Sequence, residues 1–378
     1  MTTQLILAGA GHAHAQVLQA WARAPVPGVA LVVVSPHRLA PYSGMVPGWL
    51  SGTYAYEDIV IDFEALCRRA GARWVTGTID RLDPDTRTLH LVDGTVLPYD
   101  WLSLNIGSTL MPPPSTEGLV ILPMRPLAAL QAQIDALQRV VRSDSRHTPW
   151  RVMGVGGGAA GVESLLAIIH RLRAGQPHRP VTGTLLSRGP VLLPGYAPAA
   201  QRQALTALTQ AGVLVRLNTP WTDAWRHEAD VVLWATGAEA HAWQRDPSRR
   251  GSLSVSPAGF VCINEHLQSV SHDRIFAVGD CAQWTTPLPK AGVYAVRMGP
   301  VLAHNLGAAL RGQPLQRYRP QATFLSLLAT ADGKAIATRG RLAVSGRWSW
   351  RWKDHIDRAF VGRFRVSDAG TRPPADGH

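Results

Sequence analysis

Trp150-Arg151-Val152-Met153-Gly154-Val155-Gly156-Gly157-Gly158-Ala159-Ala160-Gly161-Val162-Glu163 is the stretch on which the fold turns. An apolar run leads into glycines spaced Gly156-x-Gly158-x-x-Gly161, and an apolar helix is predicted over 165–169. A strand predicted at Gly183-Thr184-Leu185-Leu186-Ser187 closes a βαβ unit. The N-terminus of such a helix exposes unpaired N–H groups and the positive end of its dipole, so it attracts phosphate. Glycines let the backbone turn tightly and approach a pyrophosphate closely. Gly156, Gly158, Ala159, Ala160, Gly161 and Glu163 therefore read as a dinucleotide-binding turn. The other reading is a tight strand–helix turn that holds no ligand.

A second opening of the same kind stands at the N-terminus. It reads Leu5-Ile6-Leu7-Ala8-Gly9-Ala10-Gly11-His12-Ala13-His14, with a helix through Trp21 and a strand over 30–34. The two turns are 156 − 9 = 147 residues apart and are the only internal similarity. Gly9 and Gly11 fit the pattern, but His14 takes the place of the third glycine. His12, Ala13 and His14 either meet the phosphate or, for the two histidines, pack the helix against its strand. Neither unit has the acid that ordinarily binds the adenosine ribose after the second strand. The first carries Ser35-Pro36-His37-Arg38 and the second Ser187-Arg188. Ser187 and Arg188 suit a 2′-phosphate, which favours NADPH, or Arg188 is simply a solvated arginine. Further strands are predicted at 231–234 and 274–278, a loop at 143–149, and a hairpin over 324–338 around Asp332-Gly333.

At 378 residues with 46% hydrophobic and 17% charged side chains, the chain has material for two or three cores, which excludes wholesale disorder. Cys67, Cys262 and Cys281 are far apart, with no C-x-x-C pair, so neither a zinc knuckle nor a local dithiol is expected, and no metal site is expected. The charge is 38 − 26 = +12, and all but Lys290, Lys334 and Lys353 of the basic residues are arginines. That balance favours anionic partners. The opening Met1-Thr2-Thr3-Gln4 is no basic leader, and no apolar run reaches the roughly 18 to 20 residues of a membrane span. A cytoplasmic protein is expected, attached to the inner face of a membrane at most by its surface.

Ile275-Phe276-Ala277-Val278-Gly279-Asp280-Cys281-Ala282 resembles the Gly-Asp signature of two-dinucleotide flavoproteins, the pyridine nucleotide-disulfide oxidoreductase superfamily. Ala235-Thr236-Gly237 looks like that family's Ala-Thr-Gly turn, and Leu104-Asn105-Ile106-Gly107-Ser108 like a divergent form of the earlier one. Ala40-Pro41-Tyr42-Ser43-Gly44-Met45-Val46-Pro47-Gly48 and Leu288-Pro289-Lys290-Ala291-Gly292-Val293-Tyr294 resemble the subgroup fused to or encoded beside selenophosphate synthetase, itself similar to type II NADH dehydrogenases. The resemblance implies an α/β fold of two Rossmann-like domains, FAD-binding and NAD(P)H-binding, the second inserted in the first. Residues 1–115 and 262–320 would bind FAD, 116–261 would bind NAD(P)H, and 321–378 would form a small C-terminal α+β segment.

By the same resemblance Asp280 and Gly279 hold the ribityl chain, with Pro41, Tyr42, Ser43, Asn105 and Gly107 lining the FAD site beside Ser35 and Arg38. Thr236 and Gly237 line the NAD(P)H side. Gly292 and Val293 would open a helix facing the flavin N1–O2 edge, with Lys290 adding charge there or standing as a solvated loop lysine. The Tyr42–Pro47 stretch lacks the cysteine pair of disulfide reductases, so no dithiol relay is implied. The implied activity is hydride transfer from NAD(P)H to FAD and onward to a quinone or other small acceptor. The alternatives are a selenium-metabolism accessory acting with selenophosphate synthetase and a non-catalytic flavin scaffold.

The tail 346–364 adds a stripe. Trp348, Trp352, Ile356, Phe360 and Phe364 recur every four residues, flanked by Arg347, Arg351, Arg358 and Arg363. That pattern suits a membrane surface or packing against the rest of the chain, and Asp354 and Asp357 speak against lipid. No motif supports nucleic acid.

Overall fold

The computed structural model describes residues 2–144, 148–321 and 323–365. Part of the loop expected at 143–149 and the tail from 367, expected to fray, lie outside the described residues.

Leu5, Ile6, Leu7 and Ala8 have no exposed surface, because their strand is covered on both faces. That is the condition of a parallel sheet, whose strands read as continuous apolar runs. Thr3–Ala8 is the central strand, pairing in parallel with Val29–Ser35 on one side and Trp101–Leu104 on the other. Arg73–Thr76 and Ile275–Ala277 complete the five-stranded sheet at its two edges. The last of these strands arrives from far along the chain and lies beside Leu102–Leu104. Each buried leucine or isoleucine side chain contributes on the order of 1.5–3 kcal/mol.

Between Leu104 and Ile275 the chain builds a second parallel sheet. Its order is Val120–Pro123, Val231–Trp234, Trp150–Val155, Val181–Leu186 and Val213–Arg216. The helix Ala159–Gly175 buries Val162, Leu165, Leu166, Ile168, Ile169 and Leu172 against it. Gly183 lets that helix come close, since a Cβ there would stand 2.6 Å from the Ile169 Cδ1.

Helices His12–Trp21 and Gly292–Leu310 pack together on the first sheet. The helix expected after Lys290 therefore begins at Gly292. Phe63–Ala70 covers the sheet too, capped by the Asp62 carboxylate accepting from the Ala65 N–H at 3.0 Å and stopped by Gly71 at φ +63°. An antiparallel meander, Ile79–Asp83, Thr88–Leu91 and Val96–Pro98, hangs from the first sheet.

The expected C-terminal hairpin forms from Ser326–Ala329 and Ala335–Arg339, and a third strand, Leu342–Gly346, joins it. The chain then enters helix Arg347–Gly362, which lies against this sheet. The expected apolar stripe divides in two. Phe360 and Phe364 are buried, while Trp348 is 53%, Trp352 42% and Ile356 38% exposed.

Candidate functional site

The carboxyl edge of the first sheet gathers the N-terminal glycine turn, Asn105 and the Gly279–Asp280 turn. Gly9 has φ +101°, and a Cβ on it would stand 2.4 Å from the Asn105 carbonyl oxygen. At Gly11 a Cβ would meet the Asn105 side chain at 2.1 Å. Asn105 ties the turns together: its Oδ1 accepts from the Ala13 N–H at 3.1 Å and its Nδ2 donates to the Val278 carbonyl at 3.0 Å. Both its polar atoms are thereby committed to protein.

His14, open in the sequence between phosphate contact and helix packing, is turned inward. Its Nδ1 lies 2.7 Å from the Gly9 carbonyl and its Nε2 2.9 Å from the Ser103 hydroxyl, with no exposed surface. A carbonyl only accepts, so Nδ1 carries the proton and Nε2 accepts from Ser103. Burial pushes its pKa down to about 4, which keeps the ring neutral. The ring does by hydrogen bonding what a third glycine does by close packing.

His12 packs beside Tyr42 and Phe360. Its ring stands edge-on to Tyr42 at 5.3 Å, and its Nε2 is buried without a partner. Burial lowers its pKa to about 4, opposed by the charge of Asp280. Arg38 points away and pairs with Glu64 at 3.6 Å, and the Ser35 hydroxyl donates to the His37 carbonyl.

Asp280 is paired with Arg125, a residue the sequence reading missed. Arg125 follows the strand Val120–Pro123 of the second sheet, and it also donates to the Lys290 carbonyl at 3.1 Å. It therefore bridges the two sheets at the Gly-Asp turn. The Lys290 ammonium donates to the Ala282 carbonyl at 2.6 Å and lies 3.7 Å from the Phe260 ring centre. Burial lowers its pKa. It is thus neither a solvated loop lysine nor free to reach into the cleft. Gly292, at the start of its helix, has Ser43 so near that a Cβ would stand 2.4 Å from the hydroxyl oxygen. Val293 follows in the first turn of the same helix.

In the second unit each glycine has its own reason. Gly156 has φ +120°, and a Cβ on it would strike the Ala235 carbonyl oxygen at 2.2 Å, against the Ala235-Thr236-Gly237 turn. A Cβ on Gly161 would stand 1.9 Å from the Gly156 carbonyl oxygen. Gly158 has open space before it, the approach a pyrophosphate needs. The open Gly158 and the orphaned His12 nitrogen both fit a dinucleotide at each turn. Ala159 and Ala160 open the helix beyond Gly158.

Glu163 does not join the phosphate turn. Its Oε1 accepts from the Ala329 N–H at 2.7 Å, and it lines a cleft of about 50 Å³ with Pro47, Gly48, Ser51, Thr53 and Trp350. Burial raises its pKa to about 7, opposed by Lys353. Lys353, also missed, is buried on the C-terminal helix. Its ammonium donates to the Gly44 carbonyl at 2.5 Å and to the Asp357 carboxylate at 2.7 Å. Asp357 in turn bonds the Tyr42 hydroxyl, and burial raises the Asp357 pKa. Lys353, Asp357, Tyr42 and His12 thus follow one another from the C-terminal helix to the first glycine turn, with the Lys353 charge acting on Glu163. The Lys353–Asp357 spacing of four on one helix was legible as a pair; that it faces inward was not.

The three cysteines are free. Burial raises the pKa of Cys281 to about 11 and of Cys67 to about 12, so both are inert thiols.

Residues 3–304 match the profile of a family described as pyridine nucleotide-disulphide oxidoreductase. The chain is 27% identical over 277 residues to ferroptosis suppressor protein 1 of Homo sapiens, covering 68% of this chain and 69% of that one. It is 27% identical to the type II NADH:quinone oxidoreductase of Haemophilus influenzae over 221 residues, 52% of this chain and 49% of the relative. The sulfide:quinone oxidoreductase of Aquifex aeolicus superposes with a TM-score of 0.76 at 17% identity, covering 96% of this chain and 91% of that structure. These relatives lend nothing to the selenium reading.

Proposed function

Because the chain belongs to the pyridine nucleotide-disulphide oxidoreductase family, and is an FAD-dependent NAD(P)H oxidoreductase, we propose that it delivers its electrons to a quinone at the cleft lined by Glu163 and Trp350. The observation that carries this reading is Glu163 at the cleft, next to the Lys353–Asp357–Tyr42–His12 series that runs from the C-terminal helix to the first nucleotide turn.

FAD, when bound, supplies the hydride acceptance and two-electron delivery. Gly9, Gly11, Asp280 and the Gly292 helix would hold it, and the Gly156–Gly161 turn would hold the coenzyme. The net reaction takes NAD(P)H, a proton and a quinone to NAD(P)+ and a hydroquinone. The quinone therefore needs one proton beyond the hydride equivalent. Glu163, with its pKa near 7, is about half protonated at neutral pH and in that form can give a proton to a quinone oxygen. Lys353, fixed on Gly44 and Asp357, sets a positive charge that acts on Glu163. With no dithiol in reach, a disulfide substrate relay forms no part of this reading.

The exposed half of the aromatic stripe supports supply of the quinone from a lipid surface. Trp348 and Trp352 stack at 6.2 Å beside exposed Arg347 and Arg351, and the neighbouring strand adds exposed Leu342 and Val344. The two acids that spoke against lipid are engaged elsewhere. Asp354 accepts from Tyr54 at 2.6 Å and from Arg358 at 2.8 Å, and Asp357 is buried. No helix among the described residues is long and apolar enough to cross a membrane, so contact would be at the surface.

The test is anaerobic mixing of the yellow protein with NADH or NADPH, followed by a soluble ubiquinone analogue. Bleaching by coenzyme and return of colour with quinone are expected. Bleaching that no quinone reverses would remove the acceptor assignment.

A further inference from the structure

We infer that the coenzyme this chain takes in preference is NADPH, selected by Arg188 at the tip of the strand Val181–Leu186. The inference rests on the NAD(P)H site read at the Gly156–Gly161 turn. That strand emerges beside the turn: the Gly156 N–H donates to the Leu186 carbonyl at 2.9 Å. A Cβ on Gly157 would stand 2.5 Å from the Ser187 hydroxyl oxygen. Ser187 therefore occupies the place from which a carboxylate would grip the adenosine ribose hydroxyls. A carboxylate there would also repel a 2′-phosphate; a hydroxyl does not.

Arg188 is next in line and exposed. The adjacent strand Val213–Arg216 ends level with it. The Ser187 N–H donates to the Arg216 carbonyl at 2.9 Å, and the Asn218 N–H donates to the Gly189 carbonyl at 3.1 Å. Arg216 lies with its guanidinium 5.6 Å from the Trp225 ring centre. Arg188 and Arg216 both stand at this tip, and from residue 164 to residue 222 the sequence has no Asp or Glu. The first acids beyond are already paired, Asp223 with Arg226 at 2.9 Å and Asp230 with Arg151 at 3.1 Å. A doubly charged 2′-phosphate thus meets arginine and no carboxylate, whereas an NADH ribose meets no carboxylate to bind it.

The size of the effect follows from one charge-assisted contact. Such contacts give roughly ten- to hundredfold discrimination. The first measurement is calorimetric binding of 2′,5′-ADP and of 5′-ADP to the flavin-loaded protein. The second is kcat/KM for NADPH and NADH with the same quinone. Tighter 2′,5′-ADP and a tenfold or greater preference for NADPH are expected. Arg188→Ala should remove most of both, acting through the KM for NADPH and far less through that for NADH. Ser187→Asp should turn the preference toward NADH. Equal or better use of NADH by the wild type, or an Arg188→Ala loss equal for both coenzymes, would overturn the inference while leaving the oxidoreductase reading intact. A flavin that neither coenzyme reduces would instead bring down the reading on which it rests.

Discussion

Glu163→Gln is the substitution that most sharply separates chemistry from architecture here. The native carboxyl has its pKa raised from 4.5 to about 7 by burial. Gln resembles its protonated form and keeps the acceptor for the Ala329 N–H. The raised pKa means that the fold tolerates the neutral acid and penalises the ionised one. The penalty is absent below pH 4.5 and grows as pH rises toward 7. With about 1.4 kcal/mol for each pH unit between the two values, it comes to about 1 kcal/mol at pH 5 and about 3 kcal/mol at pH 7 and above. E163Q should therefore be more stable than wild type by about 3 kcal/mol at pH 8 in urea unfolding, and by about 1 kcal/mol at pH 5.

Turnover should move the other way. Quinone reduction by the wild type should fall about tenfold per pH unit above pH 7, as the proton is lost. In E163Q it should be lower by roughly two to four orders of magnitude and flat across that range. Reduction of the flavin by coenzyme, read separately in stopped flow, should change little. If E163Q were no more stable at pH 8 than at pH 5 relative to wild type, the burial argument would fail. If its quinone turnover kept the wild-type pH profile, the proton-donor role would fail.

Three other outcomes are expected. Lys353→Met leaves the Asp357 carboxylate buried without its cation, at a cost of about 3–5 kcal/mol, and adding Asp357→Asn should restore most of it; simple additivity in a double-mutant cycle would refute the pairing. Because His12 and His14 are held near pKa 4 against 6.5 when unfolded, they stabilise the fold above pH 6.5 and that contribution is lost as pH falls toward 4. His14→Gln should remove about 2 kcal/mol of the loss between pH 7 and pH 5 in the flavin-free protein, and an unchanged pH slope would count against it. Replacing Trp348 and Trp352 with Ser should abolish sedimentation with anionic vesicles while leaving activity on a soluble quinone analogue; retained sedimentation would assign that face to something other than lipid.

The sequence by itself determined the elements whose signal is local. Leu5–Ala8 and Val152–Val155 read as strands because apolar runs lead into glycine turns. Gly156, Gly158 and Gly161 read as a nucleotide turn because that turn needs those glycines at that spacing and nothing from elsewhere. The Gly279–Asp280 turn and the helix from Gly292 were implied by the resemblance to the flavoprotein family. Tertiary structure decided what depends on contacts between distant residues. The sequence leaves His14 between phosphate and packing; Gly9 and Ser103, five and 89 positions away, decide it by taking both of its nitrogens. Arg125 has no motif; it matters because the second sheet presents it to Asp280, 155 residues on. Glu163 sits two residues past the glycine turn but is claimed by Ala329, 166 residues later. The tail stripe, uniform in sequence, was divided into a buried half and an exposed half only by where the rest of the chain ran out to cover it. Periodicity records which face a residue shares with its neighbours in sequence; which charge, ring or carbonyl it meets is set by partners that the local pattern does not encode.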